Sequence, residues 1–425
     1  MRFELTLKNT DGVIETLFYD NTASTLTRRN GERVDLSTTG FAYADNVAFT
    51  EWKVGRKIRA VKRLKIQLGL GCNYSCSYCS QSAHKMGAVA TSTMDASTFI
   101  ENIDTWLEGE PDKIELWGGE PLLYWKKIKL LAPALRARFP RAVLSVITNG
   151  ALLDDEKADF LRLHGVRIAI SHDGPGHTLR GPDPFDDPEW VAMVQRVYDT
   201  HQLAFNMVLT EGNRSPSAAI EWIRSRLGRP VACNVESIVN VYSGEGELSA
   251  SVRGEISQNL FMDLVTGKLH DVGTLTWKLH SFYHTLAYGE PPSARGQKCG
   301  MDRPDWLAVD LDGNVLTCQN VGANSGHKIG ELARYDQIDL DTVTPHTQRA
   351  GCPSCPVLHL CYGSCMYLHG AEFSQTCNNE YAANLAVFMA ALYFLTGYVL
   401  TGIQHLDAPA KVKKFIPIKE VAYGL

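Results

Sequence analysis

The run Leu64-Lys65-Ile66-Gln67-Leu68-Gly69-Leu70 leads straight into Gly71-Cys72-Asn73-Tyr74-Ser75-Cys76-Ser77-Tyr78-Cys79. A short, mostly apolar segment of that length reads as a buried strand. The three cysteines therefore fall on the loop at its carboxyl end, with spacing Cys-x3-Cys-x2-Cys. Three thiolates on one short loop can hold three irons of a cubane and leave the fourth open. An open metal position is where a cofactor or substrate binds. Spacing alone leaves two other readings. A zinc site would need a distant fourth ligand, and a Cys-x2-Cys redox pair makes no use of Cys72.

Working outward, strands and helices alternate from about residue 63. Strands are expected at 64–70, 113–117, 142–148, 166–171 and 204–209, with an extended segment at 231–241. Helices are expected between them at 94–109, 125–139, 154–164, 189–201 and 216–227. Such a series predicts a parallel sheet with helices outside and functional loops at the carboxyl ends of the strands. A helical stretch follows at about 250–288.

The first forty residues read differently. Phe3, Leu5 and Leu7 alternate with polar residues, and Asp11-Gly12 and Asn30-Gly31 are hairpin-turn pairs. This predicts a β-meander. Between Lys53 and Lys65 lie seven basic residues and no acid, read as a solvated linker. Over 425 residues, 42 Lys and Arg against 47 Asp and Glu give a net charge of −5. That balance is not one built for nucleic acid. The run at 382–400 carries no charge and is read as a C-terminal helix buried on the sheet domain or at a subunit contact, rather than as a membrane span.

Eleven cysteines and an N-terminus without a long apolar segment point to metal ligands in a reducing cytoplasm rather than to disulfides. Seven of them form a second array: Cys299, Cys318, Cys352, Cys355, Cys361, Cys365 and Cys377. A zinc ribbon would account for four. Cys233 stands apart and reads as a buried thiol or as an extra ligand.

Gly118-Gly119-Glu120-Pro121 ends the second strand, Thr148-Asn149-Gly150 the third, and Ser171-His172-Asp173-Gly174-Pro175 the fourth, with Arg180 close behind. Together with the Cys72–Cys79 loop and Tyr78, these segments resemble the radical S-adenosylmethionine (SAM) superfamily over roughly residues 64–242. The resemblance implies a partial (β/α)6 barrel in an α/β fold. It implies a [4Fe–4S] cluster on Cys72, Cys76 and Cys79. It also implies SAM contacts at Gly118, Gly119, Glu120, Pro121, Tyr78, Ser171 and Arg180, with Asn206 a further candidate. The second array is similar to the SPASM domain, with Cys299, Cys318 and Cys365 implied for one auxiliary [4Fe–4S] cluster. Cys352, Cys355, Cys361 and Cys377 are implied for another. The first set is one ligand short. Asp302 and Asp305 offer nearby oxygens, and an open iron is the other possibility.

The expected organisation is therefore an N-terminal meander and basic linker (1–62), a barrel (63–290) and a SPASM domain with its C-terminal helix (291–425). The activity implied is reductive cleavage of SAM to a 5′-deoxyadenosyl radical, then hydrogen abstraction from a ribosomal precursor peptide to form a crosslink or an oxidised residue. Ferredoxin or flavodoxin is the kind of electron donor implied. Two alternatives stay open. One is a nucleotide, nucleic acid or anionic small molecule as substrate, suggested by the meander and the basic run. The other is a non-catalytic electron-transfer protein. Sulfatase-maturing relatives carry an Asp base just after the second SPASM cysteine, where this chain has Gln319, so formylglycine formation is disfavoured. The general base is left unassigned. His172, His327 and Tyr362 lie near motifs but read as structural.

Overall fold

The alternation at the first barrel strand sets the architecture. Leu64 and Ile66 enter the core, while Lys65 and Gln67 face the other way. In the computed structural model, residues 1–82, 92–242, 246–340, 345–407 and 415–417 are described. They begin with β1 (Arg2–Lys8), β2 (Ile14–Asp20) and β3 (Thr25–Arg28). Then come β4 (Arg63–Gln67), α1 (Met94–Trp106), β5 (Lys113–Trp117), α2 (Trp125–Arg138), β6 (Val143–Thr148) and α3 (Asp155–Leu163). The series continues through β7 (Val166–Ser171), α4 (Pro188–Val197), β8 (Leu203–Leu209), α5 (Pro216–Leu227) and β9 (Cys233–Ile238). Helices α6 (Ala250–Val265) and α7 (Gly273–Tyr288) follow, then β10 (Trp306–Asp310), β11 (Asn314–Leu316) and β12 (Lys328–Glu331). The chain closes with α8 (Leu358–Cys361), α9 (Gly370–Thr396) and β13 (Val399–His405).

Strands β4 to β9 lie side by side in sequence order, and each neighbouring pair is parallel. This is the expected partial (β/α)6 barrel. The helix starts are written locally. Asp154, Asp187 and Ser215 each accept a backbone N–H in the first turn, and Pro188 and Pro216 sit at the first helical position, where a missing N–H costs nothing.

Three elements depart from the expectation. The stretch 250–288 is two helices, broken where Gly267 takes φ +74°. The segment 291–425 contributes strands that the expectation did not include: β10 pairs in parallel with β4, and β11 and β12 extend the same sheet to nine strands. The uncharged run ends as a helix at Thr396, where Gly397 turns left-handed, and β13 leaves to pair antiparallel with β1. Among the described residues no helix is long and apolar enough to cross a membrane.

Strands β1–β3 form the expected antiparallel meander. Phe3, Leu5, Leu17 and Tyr19 are fully buried, and Tyr19 packs 5.4 Å from Phe388 on α9 and 6.1 Å from Phe282 on α7. At about 1.5–3 kcal/mol for each large apolar side chain buried, this sheet is welded to the C-terminal helix.

The basic run is solvated only in part: Lys53, Arg56 and Lys62 are exposed, whereas the other four basic residues are engaged by the protein. Lys57 is buried and donates to the Met301 and Arg303 carbonyls at 2.6 and 2.8 Å. Arg63 stacks on Trp306, Arg59 reaches the Thr105 carbonyl, and Lys65 pairs with Glu115 inside the barrel. The run ties the barrel to the cysteine-rich region.

Candidate functional site

At the carboxyl ends of β4 to β7, four loops are stitched together by short-range bonds. Gly119 N donates to Gly69 O at 3.0 Å, and Glu120 N to Gly71 O at 2.9 Å. A Cβ on Gly119 would stand 2.3 Å from Gly71 O. Only glycine lets these two backbones lie this close. Gly71 N in turn donates to the Tyr124 hydroxyl at 2.8 Å.

Glu120 is buried, and its carboxylate faces inward. It accepts from Leu122 N at 2.9 Å, from the Thr148 hydroxyl at 2.7 Å and from Asn149 N at 2.7 Å. Burial pushes its carboxyl upward against the pull of those donors. Its role in the structure is to fasten 118–121 to 148–150. Asn149 completes the seam by donating to Asn73 Oδ1 at 2.8 Å.

The β7 loop is attached by other means. Ser77 N donates to Leu179 O at 3.0 Å, and the Tyr74 hydroxyl donates to Pro182 O at 2.5 Å. Asp173 is fully buried and takes a two-pronged ion pair from Arg180 at 2.8 and 3.1 Å. It also accepts from Val208 N and from the Tyr78 hydroxyl. Arg180 is thus oriented by Asp173, and Tyr78 by the same carboxylate. Ser171 and Asn206 are register partners on β7 and β8, and Asn206 accepts from Asn234 on β9. His172 is in an aromatic stack with His177 and Trp222 and bonds Asp183 at 3.0 Å.

Cys72, Cys76 and Cys79 sit on this stitched mouth, each half-buried. Backbone N–H groups of Tyr74 and Gln81 point at the Cys72 and Cys79 sulfurs at 3.4 Å. Such contacts stabilise thiolate charge and tune cluster potentials. Three sulfurs on one loop, held by neighbouring backbone, suit a three-cysteine cluster.

The cysteine-rich region meets the same mouth. Gln67 donates to the Gln319 and Val321 carbonyls at 2.7 and 3.0 Å. Asn320 accepts from the Trp117 indole at 2.9 Å and from Gln81 at 3.4 Å. The loop carrying Cys318 therefore lies beside the Cys79 loop. Sequence reasoning missed Gln67, Trp117 and Asn320. The available signal was that Gln67 and Trp117 are the terminal residues of their strands, facing away from the core.

In the second array, Cys299, Cys318 and Cys365 act electrostatically on one another. Burial raises the half-buried Cys318 thiol to about 12, and the protein packed around Cys299 raises its thiol to about 11 although its surface is exposed. Thiols in such a site ionise when a cation binds them. Cys352, Cys355 and Cys361 lie on one loop and short helix, and Cys377 on α9. That loop is held from the far end of the sequence. Asn21 donates to the Pro353 and Cys355 carbonyls at 3.0 and 2.9 Å, and its own carbonyl accepts from His359 at 2.7 Å. Cys233 faces the core on the outer side of β9, near Arg224 and Asp271, away from both arrays.

Residues 66–203 match the family model described as the Radical SAM superfamily. The serine-type anaerobic sulfatase-maturating enzyme of Klebsiella aerogenes is 24% identical over 347 residues, covering 74% of this chain and 82% of that protein. Among solved structures, anSMEcpe with bound AdoMet aligns with a TM-score of 0.56 at 16% identity, over 79% of this chain and 99% of that one. The same protein with AdoMet and the Cp18Cys peptide aligns at 0.55, with 16% identity over the same shares. These likenesses extend the shared fold well past the matched family region.

Proposed function

Given that residues 66–203 form a radical SAM domain, the kind that uses SAM and a [4Fe–4S] cluster, we propose that this chain is a peptide maturase. Cys72, Cys76 and Cys79 hold the cluster. The 118–121 backbone, Ser171, Asn206 and Arg180 with Tyr78 line the SAM site. The cofactor supplies radical hydrogen abstraction, and the protein supplies orientation and exclusion of water. Glu120 and Asp173 are positioning residues, because their carboxylates are taken by internal donors. Cys299, Cys318 and Cys365 hold one auxiliary cluster, and Cys352, Cys355, Cys361 and Cys377 another. Ferredoxin or flavodoxin is the class of electron donor, and the reducing cytoplasm is the compartment.

The observation that carries this reading is the junction of Gln67, Trp117 and Gln81 with 319–321. It joins the loop after Cys318 to the Cys79 loop, which supports a short path for an electron released by an oxidised substrate. The sulfatase-maturating relative and the peptide-bound solved structure support a peptide as the substrate class. Gln319 in place of the relatives' Asp favours a product other than formylglycine. An anionic substrate is the less favoured alternative, since four of the seven basic residues of the run, Lys57, Arg59, Arg63 and Lys65, already have partners within the protein.

The test is 5′-deoxyadenosine production by protein reconstituted without oxygen, reduced with dithionite and given SAM. Product from the parent and none from a Cys72/Cys76/Cys79→Ala variant is expected. A parent that carries its full iron and binds SAM, yet forms no product even with precursor peptides encoded nearby, would overturn the reading.

A further inference from the structure

The first auxiliary set has three cysteines, and a cubane held by protein alone takes four ligands. Asp302 follows Cys299 by three residues on one tight turn, in which Gly300 N bonds Gln297 O and Arg303 N bonds Gly300 O, both at 3.0 Å. Its side chain is 1% exposed. One oxygen, Oδ2, accepts from the Trp52 indole and from Gln297 N, each at 2.8 Å. The other, Oδ1, is buried with no hydrogen-bond partner. Buried carboxylates are paired or coordinate metals. Among the described residues, no cation stands within ion-pair distance of Asp302. Lys57, the nearby ammonium, is taken by the Met301 and Arg303 carbonyls on either side. Asp302 also acts electrostatically on Cys299.

Resting on the auxiliary-cluster reading above, we propose that Asp302, through Oδ1, is the fourth ligand of the [4Fe–4S] cluster held by Cys299, Cys318 and Cys365. The competing donors fit less well. Asp305 is gripped by its neighbour Arg303 at 3.0 and 3.3 Å. Cys233 faces the outer core of the barrel. Tyr367 and Tyr242 lie against the same cysteines. A carboxylate is an established oxygen donor to iron, and the Tyr242 hydroxyl already accepts from Asn240 at 3.5 Å. The Trp52 and Gln297 bonds fix the carboxylate by Oδ2, leaving Oδ1 as the donor atom.

The experiment uses full-length protein in the Cys72/Cys76/Cys79→Ala background, reconstituted anaerobically with iron and sulfide, so that only auxiliary clusters are seen. Iron, sulfide, Mössbauer and EPR spectra are the readouts. The background is expected to hold about eight irons, two cubanes. Asp302→Asn keeps an oxygen for Trp52 and Gln297 but offers no anion. It is expected to lose about one iron and to show the oxidised signal of a three-iron cluster. Asp302→Cys is expected to keep about eight irons, with one site shifted in the Mössbauer spectrum toward thiolate ligation. If Asp302→Asn loses the whole cluster, Asp302→Cys decides: retained iron supports the assignment, and lost iron overturns it. Unchanged iron and spectra in Asp302→Asn, or a three-iron signal from Tyr367→Phe instead, would also overturn it. About four irons or fewer in the background itself would sink the auxiliary-cluster reading, and this assignment with it.

Discussion

The two cysteine regions are held in opposite ways. Cys72, Cys76 and Cys79 lie within eight residues, on a loop fixed by the ends of its own and adjacent strands. Cys299 to Cys377 lie within the last third of the chain and come from separate segments, with the N-terminal sheet, α7 and α9 as scaffold. A site built from one loop tolerates damage elsewhere, and one assembled from distant segments depends on every segment. The difference predicts which substitutions affect one region alone.

The largest effect is expected at Asp173, on the first region's side. Asp173→Asn leaves the Arg180 guanidinium in a buried position without its partner. Breaking such a pair costs about 3–5 kcal/mol, read as a lower denaturation midpoint, and SAM affinity should fall as Tyr78 and Arg180 lose their anchor. The same pair sets an acid limit. Burial opposes the Asp173 charge, but Arg180, Tyr78 and Val208 N outweigh it and hold the carboxyl below its ordinary range. A lowered carboxyl contributes stability that is present above its unfolded value, about 3.9, and lost as pH falls through the folded one. The parent should therefore lose stability on acidification that Asp173→Asn has already lost. Parallel acid slopes in the two proteins would refute this account.

Next is Gly119→Ala. The added methyl meets Gly71 O at 2.3 Å, backbone against backbone, so neither side yields cheaply. Overpacking of this kind costs about 1–3 kcal/mol. SAM cleavage should drop sharply while auxiliary iron stays at the parent level. Equal loss of both kinds of iron would show that the two regions are not independent.

Asn21→Ala should do the converse. It removes two donors to the loop that carries Cys352 and Cys355, at about 0.5–1.5 kcal/mol for each hydrogen bond. The expected outcome is weaker retention, under chelator, of the cluster proposed for Cys352, Cys355, Cys361 and Cys377, with 5′-deoxyadenosine formation intact. Unchanged chelation kinetics would show that the meander is not a scaffold for that loop.

The same contrast explains what the sequence made legible. The barrel strands, the Cys72 loop and the Gly118–Pro121 segment are local patterns: period-two burial, Asp and Ser caps, and glycines where backbones touch. Lys113–Trp117, Val166–Ser171 and Pro216–Leu227 could be read to the residue. What was not legible was long-range. Nothing local tells Trp306–Asp310 that it will pair with β4, or Val399–His405 that it will leave a helix to pair with β1. The basic run misled because the carbonyls that receive Lys57 lie 244 and 246 residues away. Glu120 and Asp173 stood in the motifs, but that they face inward depends on donors from neighbouring strands.

The smallest effect is expected at Cys233, the eleventh cysteine. It lies on β9 with 6% exposure, in the core cluster between the barrel and its outer helices. Burial pushes its thiol up to about 12, so it stays neutral and behaves as a small apolar side chain. Cys233→Val conserves that character and nearly its volume, so its cost should stay below about 1.5 kcal/mol. Iron, sulfide and EPR spectra should match the parent, because β9 alternation turns residue 233 away from the barrel interior while Asn234 reaches across to Asn206. Loss of iron in Cys233→Val would mean that a thiol on the outer face reaches a cluster. The fourth ligand of the cluster proposed for Cys299, Cys318 and Cys365 would then come from the barrel rather than from the turn at Asp302.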